Sequence, residues 1–160
     1  MHDKPVTVMP KRIPFTKSGF EKILAEKAKL EAERPEAVEN LRKAREMGDL
    51  SENGYYKAAR QRLSFLDGRL RHLSKLAKLA KIVETTSSDT IQIGNKVVIS
   101  DGQNKLELMI VGGYESNPAM HTVSYLSPIG KALMGKRPGD LVIVAAPAGQ
   151  MQYQIVSITA

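Results

Sequence analysis

The chain has 160 residues, a formal net charge of +7 and a pI near 9.6, with no Cys, no Trp and only 5% aromatic residues. The missing Cys removes disulfides, thiolate zinc sites and a Cys nucleophile together, and fits a reducing cytoplasm. No window approaches the length of a membrane span and no signal-peptide core precedes Pro14, so the expectation is a soluble, cytoplasmic protein of one ordinary or two small domains with an anionic partner.

Residues 1–14 read as an extended leader, because Pro5, Pro10 and Pro14 block regular helix. A helix is predicted from Thr16, whose hydroxyl is a candidate cap, with Phe20, Ile23, Leu24 and Leu30 on one face. Pro35 should end or kink it near Arg34. The period resumes with Val38, Leu41 and Ala44 and stops at Gly48. A second helical run carries Ala59, Leu63, Leu66, Leu70, Leu73, Ala77 and Ala80 in alternating steps of four and three, the spacing of a coiled-coil seam. Two such runs joined by a short turn between Gly48 and Gly54 predict an antiparallel helical hairpin over residues 15–84, with its tip at 48–54.

The polar stretch Glu84-Thr85-Thr86-Ser87-Ser88-Asp89 marks a boundary. Beyond it, strands are predicted at 96–99, 106–111, 121–125, 141–144 and 152–156, punctuated by Asp101-Gly102 and Gly112-Gly113. A short helix is predicted from Pro128 to Met134, with Gly135 just past its end. The fold class is therefore α+β: a coiled-coil hairpin followed, over 85–160, by a small antiparallel sheet domain with one short helix.

Charge is distributed unevenly. The second helical run holds Lys57, Arg60, Arg62, Arg69, Arg71, Lys75 and Lys78, with Lys81 beyond them and Asp67 as the only acid in the stretch. A solvated coiled-coil face ordinarily alternates signs. A one-signed face fits a polyanion held by its phosphates, which makes Lys57, Arg60, Arg62, Arg69, Arg71 and Lys75 candidate nucleic-acid contacts.

The tip between the helices has the opposite sign. Asp49 and Glu52 lie three apart, and two carboxylates held together can supply one or two oxygens to Mg²⁺ whose remaining ligands come from elsewhere. The same residues fit a capping box, with Asp49 as N-cap and Glu52 reaching back to its N–H. Spacing alone favours the cap, whereas placement at the end of a basic arm favours the metal half-site. His2, His72 and His121 are scattered without ligand spacing, and no Gly-rich phosphate loop precedes a helix.

Arg34-Pro35-Glu36, the tip Gly48-Asp49-Leu50-Ser51-Glu52-Asn53, and Ser127-Pro128-Ile129-Gly130-Lys131-Ala132-Leu133 followed by Gly139-Asp140 resemble motifs of the bacterial Gre transcript cleavage factors. The likeness covers nearly everything from Pro14 onward. The Arg-rich second helix resembles the GreB branch more than the GreA branch. The resemblance implies an FK506-binding-protein-like C-terminal domain that docks on bacterial RNA polymerase at the rim of its secondary channel, through Ser127, Pro128, Ile129 and Lys131, while the arm enters that channel. It implies that Asp49 and Glu52 help hold a catalytic Mg²⁺ shared with the polymerase, promoting hydrolysis of the backtracked nascent RNA 3′ segment. The factor itself would be no enzyme, would bind no membrane and no metal tightly alone, and would be a monomer when free.

This chain departs from the family pattern at Tyr55, where many members carry a further acid, and at Gly54, where alanine is more usual. Tyr55 is expected to pack, with stacking on an RNA base as the alternative. Three rival functions follow. One is a Gre-fold regulator that enters the channel without promoting cleavage. Another is a prolyl isomerase, for which the domain offers only Tyr114, Tyr125 and Tyr153 as pocket aromatics. The last is a coiled coil that binds free RNA directly.

Overall fold

A computed structural model describes residues 10–49 and 52–160. The described chain divides into two compact units, one of residues 21–79 and the other of residues 10–20 together with 80–160. The first is a helical hairpin. Helix α1 runs over Lys17–Arg45 and helix α2 over Gly54–Leu79. Thr16 caps α1 as its position predicts, the hydroxyl accepting from the Gly19 N–H at 3.0 Å.

Pro35 does not end α1, which runs through it unbroken. Proline removes one donor from the ladder, and the 29-residue helix outlasts that loss because Glu26 and Glu33 before it bond α2 and Ala37 and Ala44 after it are buried. The buried stripe of α1 also differs from the expected one. Ile23, Leu30, Ala37 and Ala44 are buried at intervals of seven, while Leu24 and Val38 face solvent. On α2 the expected seam holds: Leu66 and Leu73 are buried and Ala59, Leu63, Leu70 and Ala77 are half-buried. Leu76, outside that pattern, is buried as well. The small Ala37 and Ala44 supply the buried positions in the tip-ward half of α1. Antiparallel packing shows in the cross-helix contacts, which pair Glu26 with Arg69, Glu33 with Arg62 and Ala44 with Asn53.

The other unit opens with strand β1 (Ile13–Phe15), which takes in two residues read from the sequence as leader and pairs in parallel with β2 (Ala80–Ile82) directly after α2. A three-residue strand containing a proline gives no alternating pattern to detect, and Pro14 is tolerated because this two-stranded ribbon has free edges. Residues 1–9 of the leader lie outside the described residues.

Five further strands make one sheet: β3 (Lys96–Ser100), β4 (Lys105–Val111), β5 (Thr122–Ser124), β6 (Leu141–Ala146) and β7 (Gly149–Thr159), in the order β5-β4-β3-β7-β6. Every neighbouring pair is antiparallel except β4 with β5, which is parallel. The sheet is antiparallel-rich, as expected, with one parallel pair that the sequence did not reveal. Residues 112–121, which include a 3-10 turn at Pro118–Met120, form a crossover long enough to return the chain before β5 begins. Helix α3 (Pro128–Leu133) packs beside β6 and closes a core of Ile91, Ile93, Val97, Ile99, Leu108, Ile110, Leu133, Val142 and Ile155. No described helix is long and apolar enough to cross a membrane.

Candidate functional site

The tip of the hairpin is built by Asn53. Its side-chain oxygen accepts from the Tyr56 N–H at 3.0 Å, and its backbone carbonyl accepts the first helical bond of α2 from the Lys57 N–H at 3.1 Å. The side-chain amide of Asn53 donates in turn to the carbonyl of Ala44 at 2.8 Å. One residue thus caps the start of α2 and gives a second donor to the Ala44 carbonyl near the end of α1, which also accepts from the Met47 N–H at 3.3 Å. Gly48 takes φ +114°, the left-handed conformation that lets the chain leave α1.

This arrangement overturns the capping-box reading. Helix α2 starts at Gly54, so Asp49 lies outside the N-cap position and Glu52 precedes the helix instead of occupying its third residue. Nor do the two acids share a helical face. Both are exposed in the turn itself. Asn53 was the stronger capping signal, an Asn immediately before the helix, and the Asp-x-x-Glu spacing obscured it. Leu50 and Ser51 lie outside the described residues.

Tyr55 does not cover the helix seam. It is 75% exposed, while Tyr56 is half-buried and lies under the Arg45 guanidinium at 6.0 Å from the ring centroid. Of the two tyrosines, the second packs and the first faces outward.

The cations of α2 fall into two groups. Arg62 bonds Glu33 at 2.6 Å and Arg69 bonds Glu26 at 2.7 Å, both on one flank, with donors and acceptors each seven residues apart. On the opposite flank Arg34 of α1 bonds Asp67 at 2.7 Å. The hydrogen bond from Arg69 holds the Glu26 carboxyl below its ordinary pKa against a smaller opposing effect of burial, and Arg34 does the same for Asp67. Lys57, Arg60, Arg71 and Lys75 are exposed, make no salt bridge among the described residues, and fall within roughly one sixth of the helix circumference opposite the seam. The candidate nucleic-acid set therefore splits: four side chains share an outward stripe, and Arg62 and Arg69 turn toward acids of α1. Signs that fail to alternate along α2 alternate across the hairpin.

In the sheet unit, Ser127 caps α3. Its hydroxyl accepts from the Gly130 N–H at 3.1 Å and donates to the Ser124 carbonyl at 2.7 Å. A side chain at Gly130 would collide with that carbonyl, so this glycine is required by packing. Ile129 packs against the core, leaving Pro128 and Lys131 exposed beside Leu126, which is 54% exposed. Gly139 takes φ +91° and the Asp140 carboxylate accepts from the Arg137 N–H at 2.8 Å, forming the turn into β6.

Tyr114 stacks on Phe15 at 6.3 Å, and Tyr125 and Tyr153 lie against the core. The polar recess formed by Ser100, Asp101, Gly102, Leu141, Gln152, Tyr153 and Gln154 offers one ring. His72 and His121 belong to no metal-ligating group, and among the described residues no cluster of three or more His, Asp or Glu could hold an ion. Two tip carboxylates suit a hard divalent cation only if other ligands complete its shell. The residues fit a half-site.

Comparison with known proteins bears on both units. The family model described as "Transcription elongation factor, N-terminal" matches residues 13–82, and "Transcription elongation factor, GreA/GreB, C-term" matches residues 86–160. Transcription elongation factor GreA of Rickettsia bellii (strain RML369-C) is 41% identical over 155 residues, 94% of this chain and 96% of that protein. Transcription elongation factor GreA of a Nitratiruptor species is 37% identical over 154 residues, with 94% of each chain covered. The crystal structure of GreA factor homolog 1 (Gfh1) of Thermus thermophilus is 27% identical, covers 94% of this chain and 100% of that one, and gives a TM-score of 0.45. The relatives carry the name GreA, which corrects the nearer likeness to the GreB branch. The Arg-rich run that suggested GreB overstated the basic surface, since acids of α1 engage Arg62 and Arg69.

Proposed function

We propose that this chain, which belongs to the GreA/GreB family of transcription elongation factors, carries Asp49 and Glu52 into the secondary channel of bacterial RNA polymerase and lends them to the active centre there. Factors of this family stimulate RNA cleavage by the polymerase and are not themselves nucleases. The observation that carries the reading is the tip: two exposed carboxylates between helix ends joined through Asn53, on a hairpin whose outward face is cationic.

Asp49 and Glu52 would each supply an oxygen ligand to a Mg²⁺ shared with the polymerase, too few to bind it alone. Bound there, such an ion activates water and stabilises the leaving oxygen of the RNA backbone. Lys57, Arg60, Arg71 and Lys75 would hold the phosphates of the extruded RNA 3′ segment, and Tyr55 faces outward within reach of the same strand. Pro128, Lys131 and Leu126 are the exposed groups of α3 and its approach available for docking on the polymerase. The factor would act as a cytoplasmic monomer.

The test uses a polymerase stalled in a backtracked complex with Mg²⁺. Wild type should release short 3′ RNA fragments. Asp49→Asn with Glu52→Gln should slow release by about a hundredfold or more while polymerase binding persists, because the charge that stabilises the transition state is lost and the docking surface is untouched. A wild type that binds and leaves the RNA uncut would establish the non-cleaving regulator instead, the reading that Tyr55 in place of a third acid favours.

A further inference from the structure

Phe65 is the one phenylalanine of the chain that faces solvent. Phe15 is buried and Phe20 half-buried, whereas Phe65, in the middle of α2, is 59% exposed. Among the described residues no second ring stacks on it and no guanidinium lies over it, unlike Tyr56 beneath Arg45. A lone exposed apolar side chain is ordinary on a protein surface, and what distinguishes this one is its place. Lys57 and Lys75 fall on one line along α2. Phe65 sits about 80° around the helix from that line, about 12 Å beyond Lys57 and about 15 Å short of Lys75. The ring therefore stands between the outward cations and the flank where Arg62 and Arg69 bond Glu33 and Glu26. The flank on the other side of the stripe carries the Asp67 carboxylate, held by Arg34.

Gly68 lies one turn beyond Phe65, on its stripe-ward side. Glycine inside a helix costs stability relative to alanine, and packing does not call for it here. Beyond its own helix, a Cβ at Gly68 would meet only the Arg71 guanidinium at 3.9 Å, an ordinary contact. The missing side chain keeps the surface low between the ring and the line of cations. A nucleobase whose own phosphate lies on that line needs such a path to reach the ring.

We propose that Phe65 is a base-stacking platform for single-stranded RNA: the phosphates follow Lys57, Arg60, Arg71 and Lys75, and one base turns off that line onto the ring. The proposal rests on the RNA contact in the reading above. The cations select a polyanion, and the ring selects one whose bases are unpaired, because the base faces of a duplex are already stacked on each other. Stacking accepts any base, which suits a surface that must take whatever transcript is extruded.

The experiment measures binding of the whole chain to unpaired oligoadenylate RNA, and to an abasic strand with the same phosphates, over a range of salt. Phe65→Leu keeps an apolar side chain and loses the ring. It should weaken oligoadenylate binding by about tenfold, the scale of one stacked base, with the log–log salt slope unchanged and the abasic strand bound as before. Phe65→Tyr keeps the ring and should bind like wild type. Gly68→Ala should raise the urea midpoint of the hairpin and weaken oligoadenylate binding together, so a stabilised hairpin with undiminished RNA binding counts against the platform. Equal affinity in wild type and Phe65→Leu, or an equal loss on the abasic strand, would overturn it. So would a Phe65→Leu variant that binds polymerase less well and RNA unchanged, since the ring would then meet protein. If Phe65→Leu loses affinity while Lys57→Gln, Arg60→Gln and Lys75→Gln leave the salt slope as it was, the phosphate stripe falls and the stacking stands. A wild type that stacks RNA and does not promote its cleavage would sink the cleavage reading alone.

Discussion

Replacing Asn53 tests whether the tip is held by the double cap. In Asn53→Ala the Tyr56 N–H loses its acceptor and the Ala44 carbonyl loses the shorter of its two hydrogen bonds, contacts of 3.0 and 2.8 Å in the native turn, and keeps the one from the Met47 N–H. An N-cap Asn is worth about 1 kcal/mol over Ala, and a neutral hydrogen bond to a backbone carbonyl about the same. Together they come to about 2 kcal/mol, which raises the population of an opened turn about thirtyfold. Asn53→Asp separates the halves, since the carboxylate still accepts from Tyr56 but can no longer donate to Ala44. Its cost should be about 1 kcal/mol, or about fivefold in opening. Amide hydrogen exchange at Tyr56 and Lys57 reads these ratios directly, because both N–H groups donate to Asn53. Cleavage stimulation should fall in the same order, wild type above Asp above Ala. The reasoning fails if Tyr56 exchanges at the native rate in Asn53→Ala, or if Ala and Asp cannot be told apart.

Two other outcomes follow from the charges. The folded-state pKa of Glu26 is depressed by Arg69, so its stabilisation is fully present above the ordinary glutamate value and is lost as pH falls through the folded value. The urea midpoint of the hairpin should drop as pH falls below about 4.3, and less steeply in Glu26→Gln; because the pair is partly exposed the effect is a fraction of about 1 kcal/mol, and equal slopes would refute it. For the outward stripe, Lys57→Gln, Arg60→Gln and Lys75→Gln together should reduce the salt dependence of binding single-stranded RNA, lowering the log–log slope by about 2 at roughly 0.7 per phosphate contact. Arg62→Gln with Arg69→Gln should leave that slope nearly unchanged and lower hairpin stability instead, a contrast that a stripe without function would not produce.

The fold was legible where one face repeats often enough to set a period. The seam of α2 could be read from its leucines, and the strands from runs of Val, Ile and Leu between glycine turns, with ends displaced by a few residues. On α1 the apolar residues outnumber the positions the seam can bury. Ala44 fits the expected stripe and is buried, whereas the expected Leu24 and Val38 are exposed, and the small Ala37, which is buried, is passed over when side-chain size is the sign of burial. Pro35 misled for a related reason: proline's local cost was visible, and the packing of α1 on α2 that offsets it was not. The parallel strand pairs β1–β2 and β4–β5 involve three-residue strands, too short for any alternation to appear.

The candidate site was legible as composition and obscure as geometry. Two carboxylates between basic helices were evident, yet the residue that organises the turn was the uncharged Asn53, and its bond to Ala44 spans nine positions and two helices. The one-signed look of α2 came from reading one helix at a time. Glu26 and Glu33 stand on the other strand of the hairpin, and only antiparallel packing places them against Arg69 and Arg62. That pairing sharpens the electrostatic case. Cations needed to hold the arm together are separated from Lys57, Arg60, Arg71 and Lys75, which face outward and away from the seam. A hairpin that neutralises its flanks and leaves one stripe charged is the arrangement the proposed RNA contact needs, since the stripe would meet phosphates while the flanks limit self-repulsion.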